Sequence, residues 1–233
     1  MNAISTVIFD VFETLIQDTA EQWAETFQCI INEQRLNVSA AVLRQTWLDA
    51  GEGFRSQRAS AGTPYCSYFN AWQRCFQGAF NQLSVSGDPA AAIRRVFDDL
   101  AGRHPYPEVV PALGQIQGRW RTAVLSNADD AFLSPVLNRL GVKFEAVVSS
   151  EGVGTYKPQA RLFQEMLDRL AVAPAQAVYV GDRQFEDVQG AAQVGLRTVW
   201  INRAGAPINP QLPAPDFQIT SLLELPGLIS RQF

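Results

Sequence analysis

Four stretches of this 233-residue chain join an apolar run to a reactive or charged side chain just past its end. Phe9-Asp10-Val11-Phe12-Glu13-Thr14 places an aspartate after the run Ile4–Phe9, and Leu125-Ser126-Asn127 ends a second run. Tyr156-Lys157-Pro158 carries one of only two lysines, the other being Lys143. Val180-Gly181-Asp182 is followed by Asp187. Each has an ordinary reading by itself. An aspartate after a strand can cap a turn or helix, Ser126 or Asn127 can cap a helix beginning near Asp129, and a lone lysine is usually a solvated surface charge. Taken together they suggest chemistry. Asp10, Asp182 and Asp187 are expected to converge at one sheet edge, where three unpaired carboxylates repel and raise one another's pKa. A hard divalent cation relieves that repulsion, and Mg²⁺ takes one or two carboxylates plus water and phosphate oxygens. Lys157 then offers positive charge to a substrate anion, and Ser126 or Asn127 a hydrogen bond.

Such convergence needs a scaffold. Five short apolar runs read as buried parallel strands: Ile4–Phe9, Thr122–Leu125, Ala146–Val148, Ala177–Val180 and Thr198–Ile201. Helical patterns at Ala131–Leu140, Ala160–Leu170 and Val188–Val194 alternate with the later runs. This alternation predicts an α/β fold with a doubly wound, Rossmann-like parallel sheet. In open sheets of that kind ligands sit beyond the carboxyl ends of the strands, where all four stretches fall.

The region between the first two strands is different. It reads as four helices, with faces Trp23/Phe27/Ile30/Ile31, Leu43/Trp47, Phe69/Trp72/Phe76/Phe80 and Ile93/Val96/Phe97/Leu100. The aromatic stripe is read as packing rather than as a cofactor site, and the four faces would bury one another as a bundle. His104–Pro111, with three prolines, reads as the return linker, and Ala206–Pro215 as a surface loop. The domain expectation is a core of residues 1–15 and 105–233 with a helical cap of residues 16–104 inserted. Arg55 and Arg58 flank a glycine-rich break between cap helices, where a loop could reach the core. They are either substrate clamps or solvated charges.

The order and spacing of the four stretches resemble the motifs of the haloacid dehalogenase superfamily. Asp10 with Thr14 matches the first, Ser126 the second, Lys157 the third, and Asp182 with Asp187 the fourth. The likeness spans Val7 to Gly195, and the helical insertion resembles that family's helical cap. The resemblance implies that Asp10 attacks the substrate covalently while Thr14, Ser126 and Lys157 hold the transferred group. It also implies a metal site of Asp10, Asp182, Asp187 and the backbone carbonyl of residue 12. One departure stands out. The family's phosphatases carry an aspartate general acid two residues after the nucleophile, where this chain has Phe12, and a phenyl ring cannot move a proton. An aromatic there is typical of the family's 2-haloacid dehalogenases, which need no metal. Against that branch stand the retained Gly181-Asp182, whose charge would repel a haloacid carboxylate, and the lack of an arginine between Leu15 and Arg35. A phosphonate-cleaving branch needs a cap lysine, and Leu15–Arg103 has none.

The expected activity is Mg²⁺-dependent hydrolysis of a small anionic phosphorylated metabolite through an aspartyl-phosphate. The alternatives are 2-haloacid dehalogenation, or metal and phosphate binding without turnover. The net charge of −4 gives no basic field for nucleic acid. No apolar run approaches the roughly 20 residues of a membrane span, and no signal-like segment opens the chain, so a cytoplasmic protein is expected. Cys29, Cys66 and Cys75 show no zinc spacing and read as reduced thiols. The oligomeric state is not legible in the sequence.

Overall fold

The computed structural model describes residues 3–60 and 62–232. Met1, Asn2 and Phe233 at the ends of the expected core, and Ala61 in the expected cap, lie outside the described residues. Contacts divide the described chain into two units. One comprises the residues up to Gln17, His104–Asn127 and everything from Leu137 onward; the other comprises Asp18–Arg103 and Ala128–Val136.

The first unit is a six-stranded parallel sheet with strands β1 (Thr6–Phe9), β2 (Arg121–Ser126), β3 (Ala146–Ser149), β4 (Ala177–Gly181), β5 (Arg197–Ile201) and β6 (Phe217–Ile219). Their spatial order is β3-β2-β1-β4-β5-β6. β1 is central, pairing Phe9 with Val124 on one side and with Val180 on the other. All four of its residues are buried, as are the five of β4, which is why both read as unbroken apolar runs. The strand order reverses direction between β1 and β4, and the crevice outside that switch point is where open α/β sheets bind ligands.

Helix α9 (Ala160–Leu170) lays Leu162, Phe163, Met166, Leu167 and Leu170 on Ile8, Leu125, Val148 and Tyr179 of the sheet. Each such side chain stabilises the fold by about 1.5–3 kcal/mol through burial. The same unit holds α6 (Val109–Gln117), the short α8 (Ser150–Val153), α10 (Gly190–Gln193) and α11 (Leu225–Gln232), while α7 (Asp130–Arg139) is divided between the two units.

The second unit contains α1 (Ala20–Gln34), α2 (Ala40–Ala50), α3 (Glu52–Ala59), α4 (Tyr68–Leu83) and α5 (Pro89–Gly102). Side-chain caps at Thr19, Ser39, Ser67 and Asp88 start four of them. Its core is a ring cluster centred on Trp47, whose centroid lies 5.5–5.7 Å from those of Trp23, Phe27, Trp72 and Phe76. At its two ends Asp18 and Arg103 form an ion pair, and the Arg103 guanidinium covers the Trp23 ring at 4.9 Å.

Several expectations need correction. Five helices replace four: α3 has an overwhelmingly polar sequence, so it left no apolar period to read. The linker ends early, because α6 begins at Val109 with Pro111 in its first turn, where a missing N–H costs nothing. β6 is a sixth strand, too short and with Gln218 too exposed to register as an apolar run. The helix expected at Val188–Val194 begins earlier, as a π-helical stretch Gln184–Gln189 that leads into α10. The second unit also includes Ala128–Val136, because the buried Asp129 carboxylate accepts from the amides of Tyr68 and Phe69 at 2.9 Å each and Phe132 meets Phe97 edge-on at 4.9 Å.

Candidate active site

The carboxyl ends of β1, β2 and β4 deliver the expected side chains to one place. Asp10 follows β1 directly, and its amide continues the ladder by donating to Val180 O at 2.9 Å. Ser126 closes β2 and donates through its hydroxyl to Asp10 Oδ1 at 3.1 Å. Lys157 Nζ lies 2.6 Å from Asp10 Oδ1 and 2.6 Å from Asp187 Oδ1, with its side chain only 2% exposed. Asp182 follows β4, and Asp187 sits one turn on within the π-helical stretch. Each of Asp10, Asp182 and Asp187 offers an oxygen within 4.8 Å of the others'.

Local sequence explains the placement. Gly181 ends β4 because Asp187 lies against it: an added Cβ would fall 2.3 Å from the Asp187 carboxyl carbon. The wide π turn is followed by Gly190, where an added Cβ would fall 2.5 Å from the Phe163 ring. π turns of this kind are frequent at functional sites. Asp187 Oδ2 accepts from the Arg183 amide at 2.8 Å, and the Asp182 carboxylate pairs with Arg183 Nε at 3.1 Å. Asn127 is engaged by the chain itself. Its side-chain amide brackets the Lys157 backbone, accepting from Lys157 N at 2.8 Å and donating to Lys157 O at 3.2 Å. Its contribution in this arrangement is to orient the lysine.

The electrostatics are those of crowded buried charge. Burial pushes the Asp10 carboxyl up to about 6, with Lys157 opposing and Asp187 adding to the rise. Burial likewise drives Asp182 well above the usual carboxylate range, assisted by Asp187 and Asp10. For Lys157, burial alone would lower the ammonium, but Asp10 and Asp187 outweigh it and hold it above its ordinary value. Three carboxylates facing one ammonium leave an excess of negative charge that a divalent cation suits.

Thr14 Oγ1 is buried without a hydrogen-bond partner. An unsatisfied buried hydroxyl is costly, and this one lies in the turn that follows Asp10. Phe12 bridges to Ile16 in this turn.

Arg55 and Arg58 lie on helix α3 rather than on a loop, so the premise that a glycine-rich break carries them is corrected. Glu52 favours the first turn of that helix, and Arg55 pairs with it at 2.6 Å while also donating to Leu48 O at 2.7 Å. Arg58 donates to the Tyr68 hydroxyl and lies over that ring. One residue of the site escaped sequence reasoning. Tyr179, in the middle of β4, has its hydroxyl 3.0 Å from Asp187 Oδ1 and 3.1 Å from Leu125 O, the two acceptors for its one proton, and accepts from Lys157 Nζ at 3.1 Å. A tyrosine inside a fully buried strand must find a partner for its hydroxyl, and that was the available signal. None of the three cysteines forms a disulfide. Among the described residues no helix is long and apolar enough to cross a membrane.

Comparison with known proteins agrees with this geometry. Residues 4–195 match the family model for haloacid dehalogenase-like hydrolases. The chain is 30% identical over 236 aligned positions to a glyceraldehyde 3-phosphate phosphatase of Methanopyrus kandleri, covering 95% of each chain. It is 34% identical over 141 positions to an (S)-2-haloacid dehalogenase of Pseudomonas sp. strain CBS-3, covering 59% of this chain and 61% of the relative. The fold is shared with a HAD hydrolase of Bacillus subtilis solved with magnesium bound, at a TM-score of 0.81 and 18% identity over 98% of this chain and 99% of the other. With its family model matched over most of its length and its parallel sheet in the same architecture, the chain belongs to the haloacid dehalogenase-like hydrolases.

Proposed function

We propose that the protein is a Mg²⁺-dependent phosphatase of a small phosphorylated metabolite, working through an aspartyl-phosphate on Asp10. The observation that carries this reading is the cluster of Asp10, Asp182 and Asp187 around one buried lysine, next to the partnerless hydroxyl of Thr14. The donor set suits a hard cation: Asp10, Asp182 and Asp187 would hold it, together with the Phe12 carbonyl. Bound there, Mg²⁺ would neutralise the carboxylates and act as a Lewis acid toward phosphoryl oxygens. Thr14, Ser126 and Lys157 would hold those oxygens as charge spreads over them in the transition state. An Asp10 carboxylate oxygen would form the new bond to phosphorus as the bond to the leaving oxygen breaks. Water would then attack phosphorus, the Asp10–phosphorus bond would break, and orthophosphate would leave.

Phe12 supports a second reading, dehalogenation of a 2-haloacid, since halide departs without a proton. The clustering of Asp182 with Asp10 and Asp187, a donor set that suits a cation, weighs against it. The test is a panel of aryl phosphate, acyl phosphate, glyceraldehyde 3-phosphate, phosphoserine and 2-chloropropionate, each with Mg²⁺ and with EDTA. Phosphate release that EDTA abolishes is the expected result. Halide release insensitive to EDTA, with no phosphate release, would select the dehalogenase.

A further inference from the structure

The turn after Asp10 is held from outside by a residue that neither the four motifs nor the proposed chemistry uses. Glu13 has a φ of 62°, a left-handed conformation that non-glycine residues keep only when their surroundings impose it. Backbone bonds from the Glu13 amide to Ile16 O and from the Leu15 and Ile16 amides to Val11 O close the turn from within, and Arg203, two residues past β5, holds it from outside. Its guanidinium donates through Nη2 to Thr14 O at 2.9 Å and through Nε to Glu13 O at 3.3 Å. The same guanidinium is paired with the Glu108 carboxylate and stacked on the Tyr106 ring, 3.8 Å from its centroid. The Tyr106 hydroxyl is hydrogen-bonded to the Glu13 side chain. Two separate stretches of chain, around Tyr106–Glu108 and at Arg203, therefore grip one turn.

A guanidinium fork has fixed geometry, so two consecutive carbonyls held by one fork leave their peptides little freedom. Thr14 lies between those peptides, and the direction of its side chain follows from them. We propose that Arg203 is a positioning residue: by holding the Glu13 and Thr14 carbonyls it sets the Thr14 hydroxyl beside Asp10, ready to donate to a substrate anion. The proposal rests on Asp10–Thr14 being the substrate-binding turn, which holds whether phosphate or halide is released.

Two measurements test it, one independent of activity. Hydrogen exchange of the peptide covering residues 10–17 is compared in wild type and Arg203→Met. The amides of Glu13, Leu15 and Ile16 are hydrogen-bonded within this turn, so exchange there should accelerate at least about tenfold while the β2 and β4 peptides are unchanged. Exchange unchanged at 10–17, or accelerated equally in every strand, overturns the proposal. Where Arg203→Met does not fold, Arg203→Lys, which keeps charge beside Glu108 but loses the fork, is read the same way.

The second measurement is kcat on p-nitrophenyl phosphate with Mg²⁺ for Arg203→Lys in the wild-type and Thr14→Ala backgrounds. Misplacement of a binding group by about 1 Å can cost 10²-fold, so a loss of about 10–100-fold is expected in the first background and under about threefold in the second. Equal factors in both would make Arg203 a general stabiliser and overturn the proposal. A wild type without phosphatase activity refutes the phosphatase reading, and the exchange measurement then decides Arg203 alone.

Discussion

Around Trp47 the helical unit buries rings against rings, while around Lys157 the sheet unit buries charge against charge. The Trp47 cluster places the rings of Trp23, Phe27, Trp72 and Phe76 within 5.7 Å and leaves no carboxylate to satisfy. The Lys157 cluster packs three aspartates within 4.8 Å, pushes two of them up by burial, and leaves the Thr14 hydroxyl without a partner. In the first region every contact favours the folded state. In the second, several contacts oppose it, a cost that the proposed cation and anion would offset. Buried charge that the fold does not need is the mark of a site.

That contrast can be sharpened by substitution. The largest effect is expected at Phe12. A positioned general acid is worth about 10²–10⁴-fold, mostly for poor leaving groups. The wild type should therefore favour aryl over alkyl phosphates, and Phe12→Asp should raise alkyl-ester kcat far more than aryl-ester kcat. Strong alkyl-phosphatase activity in the wild type would mean that some other group supplies the proton.

In the ring cluster, Phe76→Ala should lower stability by about 3–5 kcal/mol, the usual cost of emptying a fully buried aromatic site. Denaturant unfolding reads this directly. A change below about 1 kcal/mol would show that the cluster collapses around the gap.

The charged region should respond in the opposite sense. Asp182→Asn removes one of three repelling carboxylates, and without Mg²⁺ it should raise Tm by about 2–4 °C, the shift that 1 kcal/mol gives a chain of this size. The sign follows from proton linkage. With its pKa raised in the folded state, Asp182 keeps its proton after the unfolded chain has released it, so wild-type stability falls as pH rises through that window. The advantage of the variant should thus shrink as pH is lowered toward the ordinary carboxylate range, and Mg²⁺ should stabilise wild type more than variant. Calorimetry with EDTA and with Mg²⁺ measures both. A variant less stable than wild type in EDTA would refute the repulsion argument.

The smallest effect concerns Arg55 and Arg58. If they contact the substrate anion, each alanine variant should raise KM by about 10-fold, the worth of one charged hydrogen bond. Their pairing with Glu52 and Tyr68 makes the competing outcome, an unchanged KM, a direct refutation of the clamp role.

The sequence was most legible where one physical requirement dominated. Strands such as Ala177–Gly181 must be buried on both faces, so their composition announces them, and a charged residue at the end of such a run announces a site. It was least legible where the determinant is tertiary. Glu52–Ala59 has charges suited to a helix at its two ends but no apolar period, and β6 is a strand only because β5 offers an edge. Asn127 looked like a ligand donor, yet its partners are backbone groups thirty residues away. Arg203 carries no local signal at all, because its carbonyl partners lie about 190 residues earlier.

The central claim, phosphoryl transfer to Asp10, is tested most directly by the mass of the Asp10 peptide after turnover in ¹⁸O-labelled water and an acid quench. With p-nitrophenyl phosphate and Mg²⁺, the account predicts a peptide carrying one phosphoryl group on Asp10, an Asp10 carboxylate free of ¹⁸O, and no adduct in Asp10→Asn. A carboxyl ester on a haloacid is instead hydrolysed at its acyl carbon, which leaves the label on the aspartate. Incorporation of ¹⁸O into Asp10 during turnover of 2-chloropropionate, with no phosphoryl adduct formed from the phosphate ester, would contradict the account.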